Sequence, residues 1–172
     1  MSPALKYGLL AAIATSVWLL LCYALGLHTK HLGLGHYANY GAEIFLAFAL
    51  WRSLRAHLLE RNFYWLPVWK GLVYGLFTAL VAALGVYIFL SVYLNFINPY
   101  YPTLYLDWRV AGMRAAGDSE EQIRVLARAS TWSASPAGLP ITITGVYLLF
   151  GFIASPIFTL WLNWRRKDGA IA

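Results

Sequence analysis

Four apolar runs separated by polar turns organise the chain. The first covers residues 7–27 (YGLLAAIATSVWLLLCYALGL) and holds no charged side chain. The second covers residues 34–54, the third 68–94 and the fourth 139–164. Each has the roughly 20 residues that an α-helix needs to cross the hydrocarbon core of a bilayer. The stretch between the third and fourth runs is too polar to span. NPYYP, from Asn98 to Pro102, ends the third helix, because two prolines do not fit inside a regular helix. From Thr103 the helical period returns, with Leu106, Val110 and Met113 on one face. Gly117 then reads as a carboxyl cap, and Ser119 with Gln122 as a capping box opening a second helix that aligns Ile123, Leu126, Ala127 and Ser130. The pattern predicts an all-α fold. It is an integral membrane four-helix bundle, one domain over residues 1–172, with a short amphipathic helical pair at residues 103–132 between spans three and four.

Composition removes the soluble alternatives. Of 172 residues, 60% are hydrophobic and 12% charged, with mean hydropathy +0.60, whereas soluble domains carry about 25% charged residues. A net charge of +6 raises the question of nucleic acid, but the basic residues flank the apolar runs. That placement points to topology signals and contact with anionic membrane lipid, with no nucleic acid. Arg52, Arg55, Arg61 and Lys70 fill the second loop, Arg165, Arg166 and Lys167 follow the last run, and Lys6 precedes the first. Only Lys30 stands in the first loop, and the arginines of the third are balanced by Asp107, Asp118, Glu120 and Glu121. Positive residues stay inside, so the chain reads as multi-pass in an inner (cytoplasmic) membrane, both termini cytoplasmic. Phe63, Tyr64, Trp65 and Trp69 would form the inner aromatic belt, with Tyr93, Tyr100, Tyr101, Tyr105 and Trp108 on the outer side. The first run is long, weakly basic at its start and lacks a small-x-small site, so it reads as a helix instead of a signal peptide. Cys22 stands alone within it, leaving no intrachain disulfide.

Helices in lipid associate through close packing of small side chains. Gly71, Gly75, Ala79 and Ala83 recur every fourth residue in the third run. Gly8, Ala12 and Ser16 do so in the first, and Gly151 with Ser155 in the fourth. Such stripes serve contacts within one chain or a homodimer. The outer pair at 103–132 either covers the bundle or docks a protein partner.

Candidate chemistry is sparse. His28, His31 and His36 crowd the first loop, but no cysteine or nearby carboxylate completes a tetrahedral set, so no metal site is expected. No serine elbow, phosphate loop or paired carboxylate occurs in the runs, so neither an enzyme nor a cofactor is expected. One residue is out of place: Glu43, in YANYGAEIFLAFALW. Counted from the basic residue at the inner end of each span, Glu43, Thr15, Thr78 and Ser155 fall at similar depth, near the middle of the bilayer. They would form one polar layer, completed by the carbonyl of Phe152 that Pro156 deprives of its donor. One reading is structural, a neutral carboxylic acid hydrogen-bonded to those hydroxyls. The other is functional, a proton or cation site.

The glycine and acid opening the second span, the basic turn and KGLVYGLFTALVAALGVYIF resemble a bacterial membrane family of unknown function, domain-of-unknown-function family 4199. LYLDWRVAGMRAAGDSEEQIRVLAR is similar to that family's outer segment, and GLPITITGVYLLFGFIASPIF to its last span. The resemblance implies a four-span inner-membrane protein and supplies no activity. Two functions stay open. One is a non-enzymatic accessory or interaction subunit docking through residues 103–132. The other is a small proton- or cation-coupled permease centred on Glu43.

Overall fold

The computed structural model describes residues 1–60 and 65–167, which contain helices and no strand. In chain order they are α1 (Pro3–Ala24), α2 (Leu32–Asn39), α3 (Gly41–Glu60), α4 (Val68–Val92), α5 (Tyr101–Ala116), α6 (Glu120–Ser133) and α7 (Gly138–Lys167). A π-helical turn, Tyr93–Ile97, prolongs α4. Among the described residues three helices are long and apolar enough to cross a membrane: Pro3–Ala24, Val68–Ile97 and Gly138–Arg166. Of the four spans expected, α3 is the one that falls short in apolar character. That helix carries Glu43, Arg52, Arg55 and Glu60 within its 20 residues, which dilutes its apolar character. Arg61, Phe63 and Tyr64 lie outside the described residues.

The second apolar run divides where a single span starting near residue 34 was expected. The indole N–H of Trp18 donates to the Ala38 carbonyl at 2.8 Å, and a Cβ on Gly41 would stand 3.0 Å from the same indole. The carbonyl that would continue the helix is thus engaged by α1, and the chain restarts at Gly41 as α3. That helix runs on past Arg52 to Glu60, and Leu46, Leu50, Leu54 and Leu58, one turn apart, are fully buried.

α4 is the hub. Along it Gly71 faces the side chain of Thr159, Gly75 that of Ser155, and Ala79 the backbone at Gly151, so α7 runs antiparallel against the small stripe. On another side Gly8 lies against Val81 and the Thr78 carbonyl while Ala12 meets Gly85, so α1 runs parallel to α4. Ala83 is buried too. Small side chains here admit backbone close to backbone, and the gain is dispersion, since lipid offers no hydrophobic drive. The Gly71–Gly75–Ala79 stripe is used within the chain. Ser155 and Thr159 also return their hydroxyls to the carbonyls of Gly151 and Ser155, steadying α7 on either side of Pro156.

Lys6, Arg52, Lys70 and Arg165 gather at one end, the basic end. There Asn163, 1% exposed, holds the turn before α4: its Oδ1 accepts from the Leu66 N–H at 3.0 Å and its Nδ2 donates to the Leu66 carbonyl at 2.8 Å. Asn163→Leu leaves both backbone groups buried and unpaired, at about 1–3 kcal/mol each. The expected loss in detergent unfolding titrations is at least about 2 kcal/mol; a loss below half of that would remove the clamp from the account.

At the opposite end the outer pair forms with its predicted signals. Gly117 caps α5 at φ +85°, and Ser119 and Gln122 make the reciprocal bonds of a capping box. The ion pairs Arg114–Glu120 (3.3 Å) and Arg124–Glu121 (3.4 Å) are exposed and contribute little. The outer aromatic belt is corrected. Tyr100 is exposed, but Tyr93 and Tyr101 are buried and Tyr105 half-buried. The π turn rolls Tyr93 inward, and Pro102 in the first turn of α5 brings Tyr101 over the bundle end.

Candidate functional site

The four polar residues expected in one layer form two. Thr78 shares a 2.8 Å hydrogen bond with Ser53 and donates to the Tyr74 carbonyl, and Ser155 donates to the Gly151 carbonyl. Thr15 instead pairs with the Tyr147 hydroxyl at 3.1 Å. Glu43 stands ten residues before Ser53, roughly 15 Å along α3 toward the far end. Thr15 and Glu43 keep a common level and line one cavity, whereas Thr78, beside Ser53 and Gly8, lies nearer the basic end. No hydroxyl of Thr15, Thr78 or Ser155 reaches Glu43. Among the described residues its carboxylate accepts no hydrogen bond and meets no cation within ion-pair distance. The structural reading of a carboxyl satisfied by those hydroxyls is therefore overturned.

Glu43 instead lies in the wall of a cavity of about 370 Å³ in the far half of the bundle. Thr15 and Leu19 of α1, Val86 and Leu90 of α4, and Ile143 and Val146 of α7 supply most of its side walls. Tyr101, Pro102 and Tyr105 of α5 close it at the bundle end. The wall is largely apolar and includes five tyrosines, Tyr40, Tyr93, Tyr101, Tyr105 and Tyr147. Glu43 occupies the first turn of α3, where the helix dipole stabilises negative charge.

A hydrogen-bonded chain holds the tyrosines in place. Asn98 Nδ2 donates to the Tyr93 hydroxyl (3.0 Å), which donates to His28 Nδ1 (2.7 Å). His28 Nε2 donates to Asn39 Oδ1 (3.0 Å), and Asn39 Nδ2 donates to the Tyr101 hydroxyl (3.0 Å). These directions follow from a neutral imidazole: Asn39 Oδ1 can only accept, so Nε2 carries the proton. Burial of His28, 1% exposed, pushes its pKa down, with the Asn39 bond acting the other way. Burial pushes the Tyr101 hydroxyl up to about 12, with the Asn39 bond drawing it back, and raises Tyr105 as well. Both phenols are therefore neutral across the physiological range.

A second hydrogen bond, Tyr105 hydroxyl to His36 Nδ1 at 2.8 Å, stands between this cavity and a groove along α5. The groove shares His36, Tyr40 and Tyr105 with the cavity and continues along Trp108, Arg109, Met113 and Asp118. His36 and His28 are thus committed to different partners, His31 is exposed, and among the described residues no three His, Cys, Asp or Glu side chains gather. Sequence reasoning missed the tyrosines as lining. The spacing of Tyr101, Tyr105 and Trp108 on one helical face was the available signal. Nothing local marked Tyr93 or Tyr147.

Three helices long and apolar enough to cross a bilayer, packed around a largely apolar cavity, point to a helical membrane protein. The chain belongs to the DUF4199 family, described as protein of unknown function, which it matches over residues 6–163. Comparison with curated proteins and with solved structures yields no match.

Proposed function

We propose that this protein is a non-enzymatic binding subunit of a bacterial inner membrane, with four spans, both termini cytoplasmic and a small-molecule chamber facing outward. The observation that carries this reading is the cavity of about 370 Å³ with Glu43, unpartnered among the described residues, in its wall. A space of that size falls within the roughly 300–1,000 Å³ typical of small-molecule sites. α3 supports the fourth span. Its 20 residues reach about 30 Å, and its buried leucines pack it among α1, α4 and α7. The basic end suits the cytoplasmic interface. The Arg52 guanidinium lies 5.8 Å from the Tyr7 ring, Arg55 5.9 Å from Trp51 and Arg165 5.7 Å from Trp161. Stems held on aromatic rings leave charged heads at the level of anionic lipid headgroups.

The cytoplasmic half favours binding over transport. Leu46, Leu50, Leu54, Ala79 and Ala82 have no exposed surface, and a permease needs a wet route past them. α5 roofs the chamber and turns into α6, where Val125 and Trp132 stand exposed. An occupied chamber can therefore be reported to a protein partner through residues 103–132.

Side-specific labelling tests this. In a Cys22→Ala background, Glu43→Cys should react with a membrane-impermeant methanethiosulfonate added to the outer face of spheroplasts, and not to inside-out vesicles. Labelling from the inside alone would reverse the orientation. Labelling from both sides would favour the permease.

A further inference from the structure

The binding reading leaves the ligand's chemistry open, and the inference made next rests on that reading. We propose that the chamber takes an organic cation, an alkylammonium-type group seated among the tyrosine rings with Glu43 as its counter-charge.

Three features of the wall lead there. The first is what the tyrosines offer. The hydroxyls of Tyr93, Tyr101, Tyr105 and Tyr147 are tied to His28, Asn39, His36 and Thr15 respectively. Each of these hydroxyls already has a hydrogen-bond partner in the wall, and the rings that carry them belong to the cavity lining. Aromatic rings attract a cation through their quadrupole, and sets of them form the cages that bind quaternary ammonium groups. The second feature is charge. The titratable lining groups are Glu43, His28, His36 and the tyrosines, and no lysine or arginine lines the space. His28 spends its ring nitrogens on Tyr93 and Asn39, and Glu43 is the one carboxyl group in the lining. The third is the isolation of that carboxylate, which no described residue pairs.

Competing ligands fit less well. An anion would be placed beside Glu43 with no basic residue to receive it. A neutral apolar molecule would displace water from a carboxylate and return nothing, leaving a desolvated charge. A hard metal ion requires about six oxygen ligands, and here one carboxylate is joined by hydroxyl and amide oxygens already hydrogen-bonded within the wall. A large, weakly hydrated cation uses the carboxylate and the rings together. The groove beyond the His36–Tyr105 bond, with Asp118 and Arg109 of opposite sign, is the approach from outside.

The test compares benzyltrimethylammonium with its uncharged carbon isostere, neopentylbenzene, in equilibrium dialysis of the full-length protein in lipid nanodiscs. Empty nanodiscs are subtracted. The wild type is expected to bind the cation saturably and at least about tenfold more tightly than the isostere. Glu43→Gln should lose at least about tenfold for the cation and nothing for the isostere. Tyr40→Leu removes a lining ring whose hydroxyl makes no bond in the wall, and should weaken only the cation, by about threefold or more. Equal binding of the two compounds, or a cation affinity unmoved by Glu43→Gln, overturns the cation assignment while leaving the chamber as a binding site. Absence of saturable binding by either compound overturns the chamber reading and the assignment with it. Circular dichroism of each variant establishes that a lost affinity is not a lost fold.

Discussion

Gly75→Leu is expected to cost the bundle about 3 kcal/mol or more, the upper end of what overpacking a well-filled interior does. A Cβ at Gly75 would land on the Ser155 side chain, and larger atoms would follow it into the same space. Ser155 cannot easily yield, because its hydroxyl is bonded to the Gly151 carbonyl. α4 and α7 would have to separate, and with them the contacts of Gly71 with Thr159 and of Ala79 with Gly151. Gly145→Leu on α7 is the control: a Cβ there meets nothing within 4 Å, and leaving glycine gains up to about 1 kcal/mol of helix propensity. Unfolding in mixed dodecyl sulfate micelles, followed by far-ultraviolet circular dichroism, reads both. If Gly75→Leu falls within about 0.5 kcal/mol of wild type, the α4–α7 crossing is not the mainstay described above.

The second large effect belongs to His28. His28→Leu leaves the buried Tyr93 O–H without its acceptor and Asn39 Oδ1 without its donor, while the Asn98–Tyr93 and Asn39–Tyr101 bonds remain. The buried Tyr93 donor alone should cost about 1–3 kcal/mol. Acid should act on the same residue. Burial lowers its folded pKa below the 6.5 of the free side chain, so the unfolded chain binds the proton more readily. The contribution of His28 to stability is then complete above about pH 6.5 and declines as pH falls through that value toward the folded pKa. Melting temperature measured from about pH 8 to pH 5 should drop on the acid side in wild type and drop less in His28→Gln. That variant keeps hydrogen-bonding capacity without a titrating ring. Parallel curves for the two proteins would assign the acid sensitivity elsewhere.

Much of the architecture was legible in the residues themselves. The apolar runs at residues 7–27, 68–94 and 139–164 correspond to α1, α4 with its π turn, and α7, because a span needs only length and apolar side chains, both local properties. Caps were legible for the same reason: Gly117, and Ser119 with Gln122, act within one helical turn. The small stripe Gly71–Gly75–Ala79 was visible as a pattern, though not which helix would fill it.

What failed was depth and facing. Arg52 looked like the end of a span, yet α3 continues to Glu60 because its buried leucines extend past the arginines. Thr15 and Glu43 keep a common level, whereas Thr78 pairs with Ser53 nearer the basic end. Tyr93, Tyr101 and Tyr105 have the composition of an interfacial belt, and they turn inward because a π turn and Pro102 reorient the backbone. The amino acid sequence by itself determined the helices, their caps and the presence of one carboxylate among apolar residues, since these depend on neighbours within a few positions. Only the tertiary structure decided that Glu43 faces a tyrosine-lined cavity and not a hydroxyl layer. Vertical register between helices is set by side-chain packing across the bundle, such as Gly75 on Ser155 and Gly8 on Val81, and no single span encodes it.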